Sequence, residues 1–201
     1  MNRLLILYPP LFNCYEKFHR KVAKITQSLD EFSFVYPDDP NAFVEKCASE
    51  NFPKAYLKKS SDWRGEVPTH AIIFDDGEVF IDELVRLKES GKPFRVVKIA
   101  ISRVVNVDRD KQYKGVKTTK EFEYIGRGSY WGNPHSMFED GDDRDEVIRK
   151  YKYDFDYEKF PHIDKKEVYK LVGKRLGCFC KPASCHGDVL ADFLNTWDDG
   201  K

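Results

Sequence analysis

An excess of either charge is missing from this sequence: 34 lysines and arginines face 34 aspartates and glutamates in 201 residues. No global field therefore draws the chain to nucleic acid or to an anionic membrane, and any such contact has to come from a local patch. Long apolar runs are missing too. The N-terminal run around Leu4-Leu5-Ile6-Leu7 is too short for a secretory signal, and no other segment approaches a membrane span, so the expectation is a cytoplasmic protein with no membrane partner. Cysteine is scarce, at five residues. An odd number, with three of the five between Gly177 and Asp188, argues against a disulfide framework and for metal ligation or reactive thiols. Internal repeats and low-complexity tracts are also absent, which excludes solenoids. What is present is ordinary core material: 41% hydrophobic residues are enough to exclude disorder throughout.

The apolar pattern orders the chain. Strands are expected at Arg3 to Tyr8, Phe32 to Tyr36, Thr69 to Phe74 and Phe94 to Ile101, and a polar connection before Pro68. Between them, Phe12, Tyr15, Phe18, Val22, Ile25 and Leu29 recur at spacings of three and four, Phe43, Val44 and Cys47 mark a short second helix, and a third runs from Val79 to Ser90. This alternation predicts an α/β fold with a mostly parallel sheet flanked by helices, whose ligands bind outside the carboxyl ends of the strands. A second organisation begins near Ser102, giving two domains, residues 1–101 and 102–201, with the C-terminal α/β part packed against the first. In it, Arg103 to Val107 alternates like a strand and Asp108 to Lys120 is charged and expected to be mobile. Helices follow at Asp143 to Tyr153, Asp164 to Val172 and Asp188 to Trp197.

The stretch Gly177-Cys178-Phe179-Cys180-Lys181-Pro182-Ala183-Ser184-Cys185-His186-Gly187-Asp188 carries most of the chemistry. A strand leads in through Leu176, Cys178 and Cys180, and a helix leads out, so Cys185-His186 sits at a helix start whose free N–H groups and dipole favour a thiolate or a bound anion. Cys185 or His186 is then the nucleophile or the acid or base, with the Cys185 pKa lowered if the thiol is partly exposed, and Asp188 an orienting group. The alternative is zinc on Cys178, Cys180, Cys185 and His186. Its spacing is unusually crowded, and adjacent Cys185 and His186 have difficulty turning inward together, so no cofactor is expected and zinc is the minority reading. A third reading makes Cys178 and Cys180 simply the inward face of a strand.

Two further segments complete a candidate pocket. In Gly126-Arg127-Gly128-Ser129-Tyr130-Trp131-Gly132-Asn133-Pro134-His135, Arg127 offers a forked donor for phosphate and Tyr130 or Trp131 a stacking face, with Asn133 and His135 alongside. The bland reading is a structural loop whose Trp131 plugs a core. Asp75 and Asp76, after a buried strand, suit ribose hydroxyls or a general base, and equally suit turn capping.

The motifs Tyr124-Ile125-Gly126-Arg127-Gly128-Ser129-Tyr130-Trp131-Gly132-Asn133-Pro134 and Gly177-Cys178-Phe179-Cys180-Lys181-Pro182 with Cys185-His186-Gly187-Asp188, in this order, resemble the phage and bacterial domain-of-unknown-function family 4326 over about Arg103 to Leu194. Thr69-His70-Ala71-Ile72-Ile73-Phe74-Asp75-Asp76-Gly77 with Gly91-Lys92-Pro93-Phe94 is similar, over the first hundred residues, to Rossmann-like nucleotide-binding proteins of the nucleoside deoxyribosyltransferase and phosphoribohydrolase group. Their glycine-rich phosphate loop is absent here, where the first strand ends in Tyr8-Pro9-Pro10. The resemblances imply a nucleotide or nucleotide-sugar ligand, or nucleic acid, and the host cytoplasm if the protein is phage-encoded. The expectation is an enzyme acting on a nucleotide, a nucleoside-sugar bond or a modified base, of transferase or glycosidase type. The alternative is a non-catalytic binding module with a structural or zinc-holding cysteine cluster.

Overall fold

Residues 1–29, 31–137 and 141–200 are described by the computed structural model of the chain. They fall into two units, residues 1–99 with the C-terminal residues from Thr196, and residues 100–195.

In the first unit, strands β1 (Asn2–Leu7), β2 (Phe32–Tyr36), β3 (Tyr56–Lys59), β4 (His70–Asp75) and β5 (Phe94–Lys98) alternate with helices α1 (Tyr15–Thr26), α2 (Phe43–Asn51) and α3 (Ile81–Glu89). The sheet runs in the order β3-β2-β1-β4-β5 with every neighbouring pair parallel. β1 is central, with Leu4 opposite Phe34 on one side and His70 on the other. Leu4, Leu5, Ile6 and Leu7 are all buried, without alternation, because helices cover both faces of a parallel sheet. The α/β expectation is met. β3 lay in the segment read as a polar connection: all four residues are exposed at the sheet edge, and Lys58 and Lys59 pair with Glu66 and Asp38. An edge strand so built has no apolar face to announce it.

At the carboxyl ends of β1 and β4, where a ligand was expected, aromatic rings pack. Tyr8 lies 5.4 Å from both Phe18 and Phe43, and Phe12 stacks on Phe74 at 5.2 Å. The C-terminal residues, expected with the second domain, belong to this unit. Asp198 takes a two-pronged hydrogen bond from Arg20 at 2.7 and 2.9 Å, and Asp199 pairs with Lys17 at 2.8 Å.

The second unit has a three-stranded parallel sheet in the order β6-β8-β7, from β6 (Arg103–Asn106), β7 (Phe122–Tyr124) and β8 (Arg175–Cys178). Helices α4 (Arg144–Asp156) and α5 (His186–Thr196) and a 3-10 helix at Lys165–Leu171 complete it. Its core joins Ile125, Trp131, Tyr151, Phe155, Leu176 and Leu190. The aromatic stretch after Tyr151 continues α4, since Tyr151 and Phe155 are buried one turn apart. The charged segment expected to be mobile holds a 3-10 turn at Lys111–Tyr113, anchored by the Tyr113 ring stacked 4.5 Å from Phe122. Among the described residues, no helix is long and apolar enough to cross a membrane.

Candidate active site

β8 ends on Cys178 and α5 begins at His186, so the intervening turn carries Cys180 and leaves Cys185 at the helix N-cap. The helix start is closed by its own side chains. The Cys185 Sγ accepts from the Gly187 N–H at 3.3 Å, and the Asp188 carboxylate reaches back to the Cys185 N–H at 2.9 Å. This is half of a capping box, the N3 side chain reaching back to the N-cap N–H, with the cysteine sulfur taking the N2 N–H instead of that of N3. Asp188 also pairs with Lys181 at 2.5 Å, and it makes no hydrogen bond to the His186 ring. Its observed task is to hold the turn.

Asn106, at the end of β6, fixes the other side of the turn. Its amide donates at 2.7 Å to the carbonyls of both Phe179 and Lys181, while its oxygen accepts from the N–H groups of Asp108 and Arg109. All of its hydrogen-bonding capacity goes into shaping backbone. The Arg144 guanidinium bonds the Ser184 carbonyl at 3.2 Å and reaches the Cys180 sulfur.

The outcome is a cluster: the sulfurs of Cys178, Cys180 and Cys185 lie within 4.8 Å of one another, with Cys178 and Cys180 at 3.5 Å. They line a cavity of about 180 Å³ together with Gly126, Arg127, Asn133, His135 and Arg144. Arg127 and Asn133 also border an open depression of about 540 Å³ that includes Ser129, Tyr130 and His162. Cys178 and Cys185 also belong to the core of this unit, with Cys180 packed against it, as the strand-face reading expects.

The thiols differ in character. As acceptor of the Cys185 thiol and of the Cys180 N–H, Cys178 is drawn well below the usual thiol range. Donation to Cys178, then burial, push Cys185 up, although the Gly187 N–H opposes this. Burial raises Cys180. A lowered Cys185 was expected for a partly exposed thiol, and this one is 2% exposed, so the condition is not met.

His186 is buried, and its Nε2 lies 2.8 Å from the Ile125 carbonyl. A carbonyl only accepts, so Nε2 carries the proton. Burial lowers the pKa of the ring, which packs edge-on against Tyr151 at 4.9 Å. No nitrogen of His186 joins the sulfur cluster, so the four-ligand zinc set expected as the alternative is not assembled as such.

The glycine-rich loop is placed in part as expected. Arg127 is exposed and borders both hollows. Trp131 is corrected from stacking face to core residue: it is 4% exposed, and its carbonyl accepts from the Tyr151 hydroxyl at 3.0 Å. Tyr130, 42% exposed, offers a ring instead, while its oxygen accepts from the Asp164 N–H at 2.7 Å. Asn133 bonds the Val147 carbonyl and the His135 N–H, and the His135 ring meets Asp154 at 2.7 Å. In the first unit, Asp75 is buried, accepts from the Gly77 N–H and pairs with Lys98, and Asp76 accepts from the N–H groups of Glu78 and Val79. Both are occupied locally in the turn.

Arg144 was not among the expected site residues. The signal was available: it follows the N-cap Asp143, whose side chain accepts from the Glu146 N–H at 2.8 Å, and a cation in the first turn opposes the helix dipole.

Residues 105–196 match the domain of unknown function DUF4326, and residues 1–105 the minimal SLOG domain. An uncharacterized 12.4 kDa protein from the nrdA-td intergenic region of Enterobacteria phage T4 is 42% identical over 72 residues, which are 35% of this chain and 65% of that protein. No solved structure matches the chain. The chain thus belongs to the minimal SLOG domain family, whose model covers its first half, and its second half is similar to DUF4326.

Proposed function

We propose that this protein is an enzyme acting on a nucleotide, a nucleoside-sugar bond or a modified nucleic-acid base, with its reaction centre in the second unit. One observation carries the reading: two arginines and three cysteine sulfurs converge on a single small cavity. Guanidinium groups recognise phosphate and carboxylate oxygens by paired hydrogen bonds, and sulfur supplies reactivity. The cavity is smaller than the roughly 300 Å³ at which pockets for whole drug-sized ligands begin. It therefore takes the reacting end of the ligand, and the rest crosses Arg127 into the neighbouring depression. There the Ser129 hydroxyl is buried with no hydrogen-bond partner among the described residues, and Tyr130 offers its ring. The SLOG half and the phage relative support a nucleotide-related phage protein, and the role proposed for it is nucleic-acid modification or counter-defence.

The test is a thermal-shift panel of nucleoside mono- and diphosphates and nucleotide sugars on the full chain, followed by product analysis of every ligand that stabilises it. A true ligand at a hundred times its Kd adds about 2.7 kcal/mol by mass action. The expected result is at least one stabilising nucleotide that is converted, with conversion lost in Cys178→Ala. Binding without conversion would favour the non-catalytic module, and no binding at all would overturn the reading.

A further inference from the structure

We infer that Cys178, Cys180 and Cys185 together hold one thiophilic divalent metal ion of the zinc class, whose fourth position faces the cavity. The inference rests on the reading of that cavity as the reaction centre only for what fills the fourth position; the metal site stands on the sulfurs themselves.

Tetrahedral zinc holds thiolates at about 2.3 Å, which places neighbouring sulfurs about 3.8 Å apart. The three sulfurs here already lie within 4.8 Å of one another, and Cys178 and Cys180 are 3.5 Å apart. Closing on an ion needs only small side-chain adjustments. The backbone that presents them is fixed from two directions: Asn106 grips the carbonyls of Phe179 and Lys181, and Arg144 grips that of Ser184. Such support around ligands is what a metal centre requires to keep its geometry. The Gly187 N–H points at the Cys185 sulfur, a donor suited to a thiolate, and Arg144 lines the cavity beside Cys180.

Charge supports the same assignment. Three thiolates around a divalent cation leave one net negative charge, and Arg127 and Arg144 line the same cavity. His186 is left out as the fourth ligand because no nitrogen of its ring joins the sulfurs. Three protein ligands with an open fourth position is the arrangement of catalytic zinc sites, whereas structural sites close with a fourth side chain. Water fills the open position until an oxygen or nitrogen of the substrate displaces it.

Metal analysis of the full chain, purified under reducing conditions without a metal-affinity step, tests the assignment. The expected result is about one zinc per chain, as three thiolates and one water satisfy a single tetrahedral ion. Cys180→Ser, a partly exposed position that the fold tolerates, should lose most of it, and Cys178→Ser and Cys185→Ser the same. Asn106→Ala keeps every ligand and should weaken metal affinity about 10- to 100-fold. His186→Gln should retain the metal. Cobalt substitution gives a second readout that does not depend on variants. The absorption should report a tetrahedral sulfur-rich site, and an added nucleotide or inorganic phosphate should shift its visible bands. A reduced, folded protein that takes up neither zinc nor cobalt overturns the inference. So does bound metal indifferent to the three cysteines, or metal lost with His186→Gln while the protein stays folded by circular dichroism. Metal-loaded protein that binds no nucleotide would instead overturn the proposed function and leave the metal site standing.

Discussion

Gly132 is the position where a single added carbon meets the least yielding neighbours. A Cβ there would stand 2.7 Å from the Gly126 carbonyl oxygen and 3.2 Å from both the Gly128 nitrogen and the Ser129 oxygen, all backbone. Backbone cannot rotate away as a side chain can. Gly132→Ala is therefore expected to destabilise the protein by about 1–3 kcal/mol, the usual cost of overpacking, read as a fall in the urea midpoint; an unchanged midpoint would show that the loop is held differently. At the same scale, the separate characters of the site residues were only partly readable in the sequence. That Cys185 and Asp188 start a helix followed from Gly-Asp and the apolar periodicity after it. That Cys178 and Cys180 meet Cys185 did not follow, because it depends on Asn106 folding the turn back, and a hydrogen bond across 73 residues leaves no local pattern. Trp131 illustrates the reverse error: a ring beside glycines and an arginine suggests stacking, yet its area was worth more in the core.

Helix α5 owes its clean start to the bond from the Cys185 N–H to Asp188. Asp188→Ala should cost about 1 kcal/mol by loss of that cap, whereas Asp188→Asn, whose amide oxygen can still accept, should cost much less. Chemical denaturation of the two variants side by side checks this, and equal losses would contradict the capping role. At α1, the Arg20 guanidinium holds the Asp198 carboxyl down at about 2. The sign follows from the depression: the pair's contribution is fully present above the unfolded carboxylate value of about 3.9 and is lost as pH falls through about 2. Because both side chains are about a third exposed, the effect is modest. Asp198→Asn should lower stability at neutral pH, and its difference from the parent chain should shrink as pH falls below 4, measured by denaturation across pH. A difference independent of pH would contradict the pairing. The elements that sequence periodicity found are those with a buried face, such as β1, β4 and α1. β3 and the turn at Lys111–Tyr113 escaped because their residues face water and owe their form to partners elsewhere in the chain.

For the molecule as a whole, balanced charge left only local patches to bind anions, and the cavity lined by Arg127 and Arg144 is such a patch. The α/β class was legible because alternating strand and helix periods leave few topologies open. The location of the site was less legible. Strand order directs attention to the carboxyl ends of β1 and β4, but Tyr8, Phe12, Phe43 and Phe74 pack there, whereas the second unit gathers arginine and sulfur around a hollow. The central claim is that this hollow receives the anionic end of a nucleotide. Calorimetric titration of the full chain and of Arg144→Ala with the panel's best nucleotide tests it most directly. Loss of a charged hydrogen-bond donor should weaken binding about 10- to 100-fold, with the two unliganded proteins equally folded by circular dichroism. Equal affinity in both would contradict the account.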